Sequence, residues 1–131
     1  PETQVILPRL QTDLIDLIQS VLNGGLEELE LRWSPDSTVG VVLVSAGYPG
    51  FYETGKRISG LNETRQGAMV FHAATDVAAD GEVITAGGRV LTVVAWGNEL
   101  SNARNLAYVF APAIHFDGVF YRGDIARLSY E

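Results

Sequence analysis

Two stretches of β-branched and apolar residues constrain this chain more than anything else in it: Val39 to Ala46 and Val90 to Trp96. The first is apolar on both faces, and a strand of that kind has to be covered above and below, so Val39–Ala46 is expected to be a central, doubly covered strand. Val90–Trp96 is expected to be a second core strand. With 131 residues the chain fits one domain and is long enough to bury a real core.

Composition narrows the class. A 47% hydrophobic and 19% charged content is that of a soluble globular protein. No apolar run approaches the ~20 residues of a membrane span, and no charged leader with an apolar core and a cleavage site is visible. The formal charge of −7 and nine scattered basic residues, of which only Lys56 is a lysine, argue against a nucleic-acid partner. With no cysteine, disulfides, thiolate metal sites and cysteine nucleophiles are excluded, and the composition is compatible with a cytoplasmic location.

Periodicity supplies the remaining elements. Leu7, Leu10, Leu14, Leu17 or Ile18, and Val21 recur at helical spacing, with Pro8 near the start and Asn23-Gly24-Gly25 as the stop. Such an apolar face needs a neighbour, either this domain or a preceding one. Glu27–Trp33 alternates like a short strand, and Ser34-Pro35-Asp36-Ser37 is a turn. Gly47-Tyr48-Pro49-Gly50 is a strong turn signal. Met69–Ala73 and Glu82–Thr85 read as strands, with Ala79-Asp80-Gly81 as a hairpin turn between them. Asn98 is the expected N-cap of a helix running to about Ile114, its last turn distorted or ended by Pro112. Phe116–Tyr121 is expected as a last short strand, with fraying from Arg127 onward. The expected fold is α+β: a small mixed, mostly antiparallel sheet with a leading and a trailing helix. The candidate boundary is Asn23-Gly24-Gly25, dividing residues 1–24 from residues 25–131.

No set of residues forms an active site by itself. His72 and His115 are far apart and lack carboxylates at ligand spacing, so they read as core or surface histidines. There is no G-x-S-x-G elbow. Gly87-Gly88-Arg89 is too short for a phosphate cradle of the P-loop or dinucleotide type and reads as a loop needing positive φ between two strands. Gly55-Lys56-Arg57 does not match a biotin or lipoate carrier. Glu27, Glu28 and Glu30 read as a solvated face. Arg122 and Asp124 beside Tyr121 mark a surface that faces something.

The chain starts at Pro1-Glu2-Thr3-Gln4 with no initiator methionine, which leads us to expect a segment of a larger protein. Those residues are similar to the end of an Arg-Phe-Gly-Asp-Pro-Glu-Thr-Gln motif in the phosphoribosylamine–glycine ligase (glycinamide ribonucleotide synthetase) family. The resemblance continues through Leu7-Pro8-Arg9-Leu10, Val42-Leu43-Val44, Gly47-Tyr48-Pro49-Gly50 with Tyr52, and Gly55 with Ile58-Ser59-Gly60-Leu61. It extends over Val70-Phe71-His72-Ala73, Gly87-Gly88-Arg89-Val90-Leu91, Ile114-His115-Phe116, Gly118, Phe120-Tyr121-Arg122 and Asp124-Ile125. No single piece is specific, but their order and spacing are. Two departures replace a glycine of the family pattern by alanine, at Ala74 and Ala126, and put local backbone strain in question.

The resemblance implies the C-terminal domain of an ATP-grasp ligase of purine biosynthesis, related to the single-hybrid motif. Residues 1–24 would close the ATP-grasp domain, and residues 25–131 would form the C-terminal domain. The full-length enzyme would use ATP and Mg²⁺ or Mn²⁺ to join glycine to 5-phosphoribosylamine, giving ADP and phosphate. The resemblance places the metal ligands and the ATP-contacting groups before Pro1, so the fragment alone would bind no cofactor and be inactive. It makes Glu2, Gly47, Tyr48 and Pro49 candidates for lining the substrate side, with Arg122 as a phosphate or carboxylate anchor. The expected partners are these substrates and the rest of the ligase, with no nucleic acid and no membrane. The alternative is a non-catalytic interaction module that uses the same fold.

Overall fold

A computed structural model describes residues 2–127. Its centre is a three-stranded antiparallel sheet in the order β1-β5-β2, where β1 is Ser37–Val44, β2 Ala68–His72 and β5 Arg89–Gly97. A two-stranded sheet pairs β3 (Thr75–Val77) with β4 (Val83–Thr85). The trailing helix α3 (Leu100–Phe110) covers one face of the larger sheet. The α+β class, the antiparallel pairing and the flanking helices follow the sequence reading.

The strongest apolar run is the middle of the sheet. Val90, Leu91, Val93, Val94 and Ala95 of β5 are fully buried. Val39, Val41 and Leu43 of β1 point with Leu91, Val93 and Ala95 to the α3 side, where they meet Ala103, Ala107 and Phe110. Burying each such side chain contributes ~1.5–3 kcal/mol relative to leaving it exposed. The opposite face carries Thr38, Gly40, Val42, Thr92 and Val94. It is only partly covered, by α1 (Glu2–Ile6). There Gln4 Oε1 accepts a hydrogen bond from Thr92 Oγ1 at 3.0 Å. Gly40 lets α1 lie close, since a Cβ at this position would stand 2.7 Å from Val5 Cγ1.

Several local expectations are corrected. Val39–Ala46 is not central: β1 is an edge strand, and β5 takes the middle. The leading helix is not continuous. After α1 comes a 3-10 turn at Leu7–Arg9 that contains Pro8, and a new helix α2 (Leu14–Leu22) begins with Asp13 as N-cap. The Asp13 carboxylate accepts from the N–H groups of Ile15 and Asp16, which satisfies donors that a helix start leaves open. Glu27–Trp33 is not a strand. Leu26–Glu28 forms a 3-10 turn, and the segment's sheet-like pairing is a single bridge between Trp33 and Leu10.

The Ala79-Asp80-Gly81 turn joins β4 to β3 and not to the Met69 strand, which pairs with β5 instead. Asn98 does not cap α3. Glu99 holds the N-cap position without a side-chain capping bond, while Asn98 Oδ1 accepts from Asn102 Nδ2 at 2.6 Å. The helix ends at Phe110, and Pro112 lies in a 3-10 turn, as its ring geometry dictates. Phe116–Tyr121 is a turn, not a strand, because Gly118 adopts φ +77° and the Val119 N–H closes onto the Phe116 carbonyl. Phe120 then makes one bridge to Val44. The expected fraying beyond Arg127 lies outside the described residues.

Candidate functional site

The Gly47-Tyr48-Pro49-Gly50 turn leaves the end of β1 as expected. The Tyr48 N–H donates to the Ser45 carbonyl at 3.1 Å, and the Gly50 N–H to the Gly47 carbonyl at 2.8 Å. Gly47 has φ +88°, and a Cβ there would collide with the Phe51 carbonyl oxygen, so both conformation and space require glycine. The turn is tied to the loop before β5. Buried Ser45 donates its N–H to the Gly88 carbonyl and its hydroxyl to the Gly87 carbonyl, each at 2.8 Å. The Tyr48 ring lies on Gly88, where a Cβ would stand 2.7 Å from Tyr48 Cε2. Neither Gly87 nor Gly88 has positive φ. This corrects the sequence reading: these glycines serve close approach, of Ala74 to Gly87 and of Tyr48 to Gly88, rather than a left-handed loop.

This junction sits beside three adjoining concavities on the partly covered face of the sheet. The largest, about 740 Å³, is bordered by Gln4, Tyr48, Tyr52, Gly88, Arg89 and Thr92. The second, about 480 Å³, has Val42 and Val44 as its floor and Tyr48, Pro49, Arg89 and Arg122 around it. The two share Val42, Tyr48 and Arg89. The third, about 240 Å³, contains Glu2 and Val5 beside Gly40 and Ile125. Of the predicted site residues, Tyr48, Pro49 and Arg122 therefore line one cavity, and Glu2 lines its neighbour. Gly47 lines none of the three and acts by shaping the turn.

Arg122 is held in place before any ligand arrives. Its Nε and Nη2 donate to the two Asp124 carboxylate oxygens at 2.9 and 2.7 Å, a bidentate pair. The guanidinium holds the Asp124 carboxyl below the usual carboxylate range, and the carboxylate raises Arg122 in turn. Tyr108 and Arg104, on α3, fix the backbone of this segment. The Tyr108 hydroxyl donates to the Arg122 carbonyl at 2.6 Å and accepts from the Ile125 N–H at 3.0 Å. Arg104 donates to the carbonyls of Ile125 and Gly123 at 3.1 and 3.0 Å, and its guanidinium lies 4.8 Å from the Tyr108 ring centre. Glu2 is lowered, first by a hydrogen bond from its own backbone N–H, with a smaller contribution from the charge of Arg89.

Arg89, Tyr108 and Arg104 were not singled out by sequence reasoning. The Gly-Gly-Arg triplet was the available signal for Arg89, but its length fits no known cradle. Tyr108 and Arg104 sit on a helix face whose target only the fold reveals.

The other sequence candidates lie elsewhere. His72 Nδ1 is 2.9 Å from Thr75 Oγ1, and both His72 and His115 are exposed. Lys56 pairs with Glu53 at 2.7 Å and lies 3.7 Å from Asp117. Among the described residues no group of three or more His, Cys, Asp and Glu is placed to hold a metal ion. Nor is any helix among them long and apolar enough to cross a membrane.

Comparison with known proteins gives one consistent result. Residues 38–128 match the family described as "Phosphoribosylglycinamide synthetase, C domain". The phosphoribosylamine–glycine ligase of Vibrio cholerae is 47% identical over 126 residues, which cover 95% of this chain and 29% of that protein. That of Caldanaerobacter subterraneus is 45% identical over 126 residues, covering 96% of this chain and 30% of that protein. The crystal structure of phosphoribosylamine–glycine ligase from Thermotoga maritima superposes with a TM-score of 0.77 at 34% identity, over 95% of this chain and 30% of that chain. The chain thus spans less than a third of the length of these relatives.

Proposed function

The chain belongs to the phosphoribosylglycinamide synthetase C-domain family, and on that footing we propose that it is the C-terminal part of a phosphoribosylamine–glycine ligase of the ATP-grasp kind. In this reading the intact enzyme joins glycine to 5-phosphoribosylamine while ATP is converted to ADP and phosphate. The glycine carboxylate is activated by phosphoryl transfer, and the acceptor amine then displaces phosphate. An activated carboxylate is lost if water reaches it, so the site needs a wall that closes it off. The face bearing Tyr48, Pro49 and Arg122 is that wall, with Glu2 at its edge and Gly47 holding the turn in shape. ATP and Mg²⁺ or Mn²⁺ belong to the remainder of a cytoplasmic ligase.

Residues 1–24 close the ATP-grasp portion in this reading, and residues 25–131 form the C-terminal domain. Helix α2 supports it, because Leu14, Ile15, Ile18, Val21 and Leu22 are all exposed, Ile15 by 64% and Leu22 by 79%. An amphipathic helix with its apolar stripe in water is one whose neighbour is supplied from outside the domain. We assign that neighbour to the ATP-grasp portion.

The observation that carries the proposal is identity near one half across almost the whole chain. Calorimetry on the chain alone tests it: Mg²⁺–ATP should give no binding heat. Joined to its ATP-grasp portion, the chain should support phosphate release only when glycine and phosphoribosylamine are both present. Tight ATP binding by the chain alone would contradict the assignment.

A further inference from the structure

We propose that Arg89 binds the phosphate monoester of a sugar-phosphate ligand, in the cavity it shares with Tyr48 and Arg122. The inference rests on the ligase reading above and assigns to this face the charged end of the acceptor.

Arg89 stands where a fixed cation is of use. It is the first residue of β5, its backbone pairs with Val44, and its carbonyl accepts from the Ala74 N–H at 3.0 Å. The base of the side chain is therefore held by the sheet, while the side chain itself is exposed and borders both larger concavities. The other arginines around this face already have partners. Arg122 is taken up by Asp124, and Arg104 by two carbonyls. Arg89 forms no ion pair and no side-chain hydrogen bond among the described residues. A guanidinium carries five donors in a planar fork that fits a phosphate two bonds at a time.

The surroundings favour a phosphate monoester with an uncharged body. The Asp124 carboxylate is neutralised by Arg122, so it does not repel an incoming anion. Glu2 lies within the field of Arg89 and sets an acidic border on the third concavity, which adjoins the cavity with Arg122 at Gly40 and Ile125 without Glu2 lining that cavity. Between the two concavities the Tyr48 ring, seated on Gly88, offers a flat wall against which a sugar can lie.

The test uses the intact ligase with Arg89→Gln and Arg89→Lys. Losing a charge-assisted bond to an anion costs about 1.5–3 kcal/mol, so Arg89→Gln should raise KM for phosphoribosylamine at least about tenfold. KM for ATP and for glycine should stay unchanged, and Arg89→Lys should recover part of the loss. Arg89 is exposed, so the melting temperature should not move. An active wild type with an unaltered phosphoribosylamine KM in Arg89→Gln would overturn the site and leave the ligase reading intact. A separate arm does not depend on turnover: ribose 5-phosphate, but not ribose, should shift the Arg89 Nε–H resonance in isotope-labelled enzyme. A resonance that does not move at saturating ribose 5-phosphate would overturn the site even if the protein proved not to be a ligase.

Discussion

The Tyr48 ring rests on the backbone of Gly88 so closely that no side chain fits between them, and a Cβ at residue 88 would stand 2.7 Å from Tyr48 Cε2. This contact joins the turn after β1 to the loop before β5 and so sets the wall between the two larger concavities. Gly88→Ala meets no backbone strain, because its φ is not positive; its cost is purely steric. Overpacking of this kind costs about 1–3 kcal/mol. Denaturant unfolding should show that loss for Gly88→Ala and a much smaller one when Tyr48→Ala is also present. Additive losses would mean that the two residues are not coupled.

Ala126 is the one non-glycine residue among the described residues with positive φ, at +55°. It is also one of the two positions where the resembling family has glycine. Ala74, the other, has no such strain. The left-handed conformation costs an alanine about 1–2 kcal/mol, partly offset by the greater freedom glycine has when unfolded. Ala126→Gly should therefore stabilise the chain by about 0.5–1 kcal/mol, read as a higher denaturation midpoint with an unchanged slope. A lower midpoint would remove strain as the explanation.

Tyr108 holds the Arg122 segment with one hydroxyl that donates to the Arg122 carbonyl and accepts from the Ile125 N–H. Tyr108→Phe removes both bonds and keeps the ring. At about 0.5–1.5 kcal/mol per bond, a loss of about 1–3 kcal/mol in stability is expected. Amide exchange at Ile125 should speed up while the core of β5 stays protected. Unchanged Ile125 exchange would show that Arg104 alone fixes the segment.

Helix α2 is the place where the chain by itself looks unfinished. Ile18→Lys with Leu22→Lys should change the stability of the isolated chain by no more than about 0.5 kcal/mol, since both positions are exposed. The same pair should abolish any concentration-dependent association seen by sedimentation. In the intact ligase it should cost about 2 kcal/mol or more, because these side chains are then covered. Equal effects in both contexts would mean that α2 has no partner in the ATP-grasp portion.

How much of this was legible in the sequence depends on whether a pattern carried its own cause. The two apolar runs led directly to the core strands β1 and β5, and the helical spacing after Asn98 to α3. The middle place was assigned to Val39–Ala46 when β5 holds it, because apolar residues on both faces do not say how many neighbours a strand has. The Gly47–Gly50 turn was equally plain. The leading helix misled because its apolar spacing runs unbroken through Pro8 and Thr12. The break is made by tertiary bonds: the Arg9 guanidinium to the Ser34 carbonyl at 3.0 Å, and the Arg32 N–H to Thr12 Oγ1 at 2.8 Å.

Glu27–Trp33 alternates like a strand but has no sheet edge beside it, and alternation cannot announce a missing partner. Phe116–Tyr121 was read as a strand from its apolar residues, and the left-handed Gly118 in its middle makes it a turn. Of the residues expected at the site, Tyr48, Pro49 and Arg122 line one cavity, while Arg89, which lines it too, was passed over because its neighbours resemble an incomplete phosphate loop. Only the fold shows that the Gly87-Gly88-Arg89 segment and the distant Tyr48 border one space.

In the function proposed for it, this chain supplies the acceptor-side wall of a ligase whose ATP grip lies elsewhere. Hydrogen–deuterium exchange on the intact enzyme tests it most directly, comparing the glycinamide ribonucleotide product with an ATP analogue. Product should slow exchange at residues 47–52, 87–89 and 122–125, and the analogue alone should leave these segments unchanged. Protection of these segments by the ATP analogue but not by product would place the nucleotide, and not the acceptor, against this face.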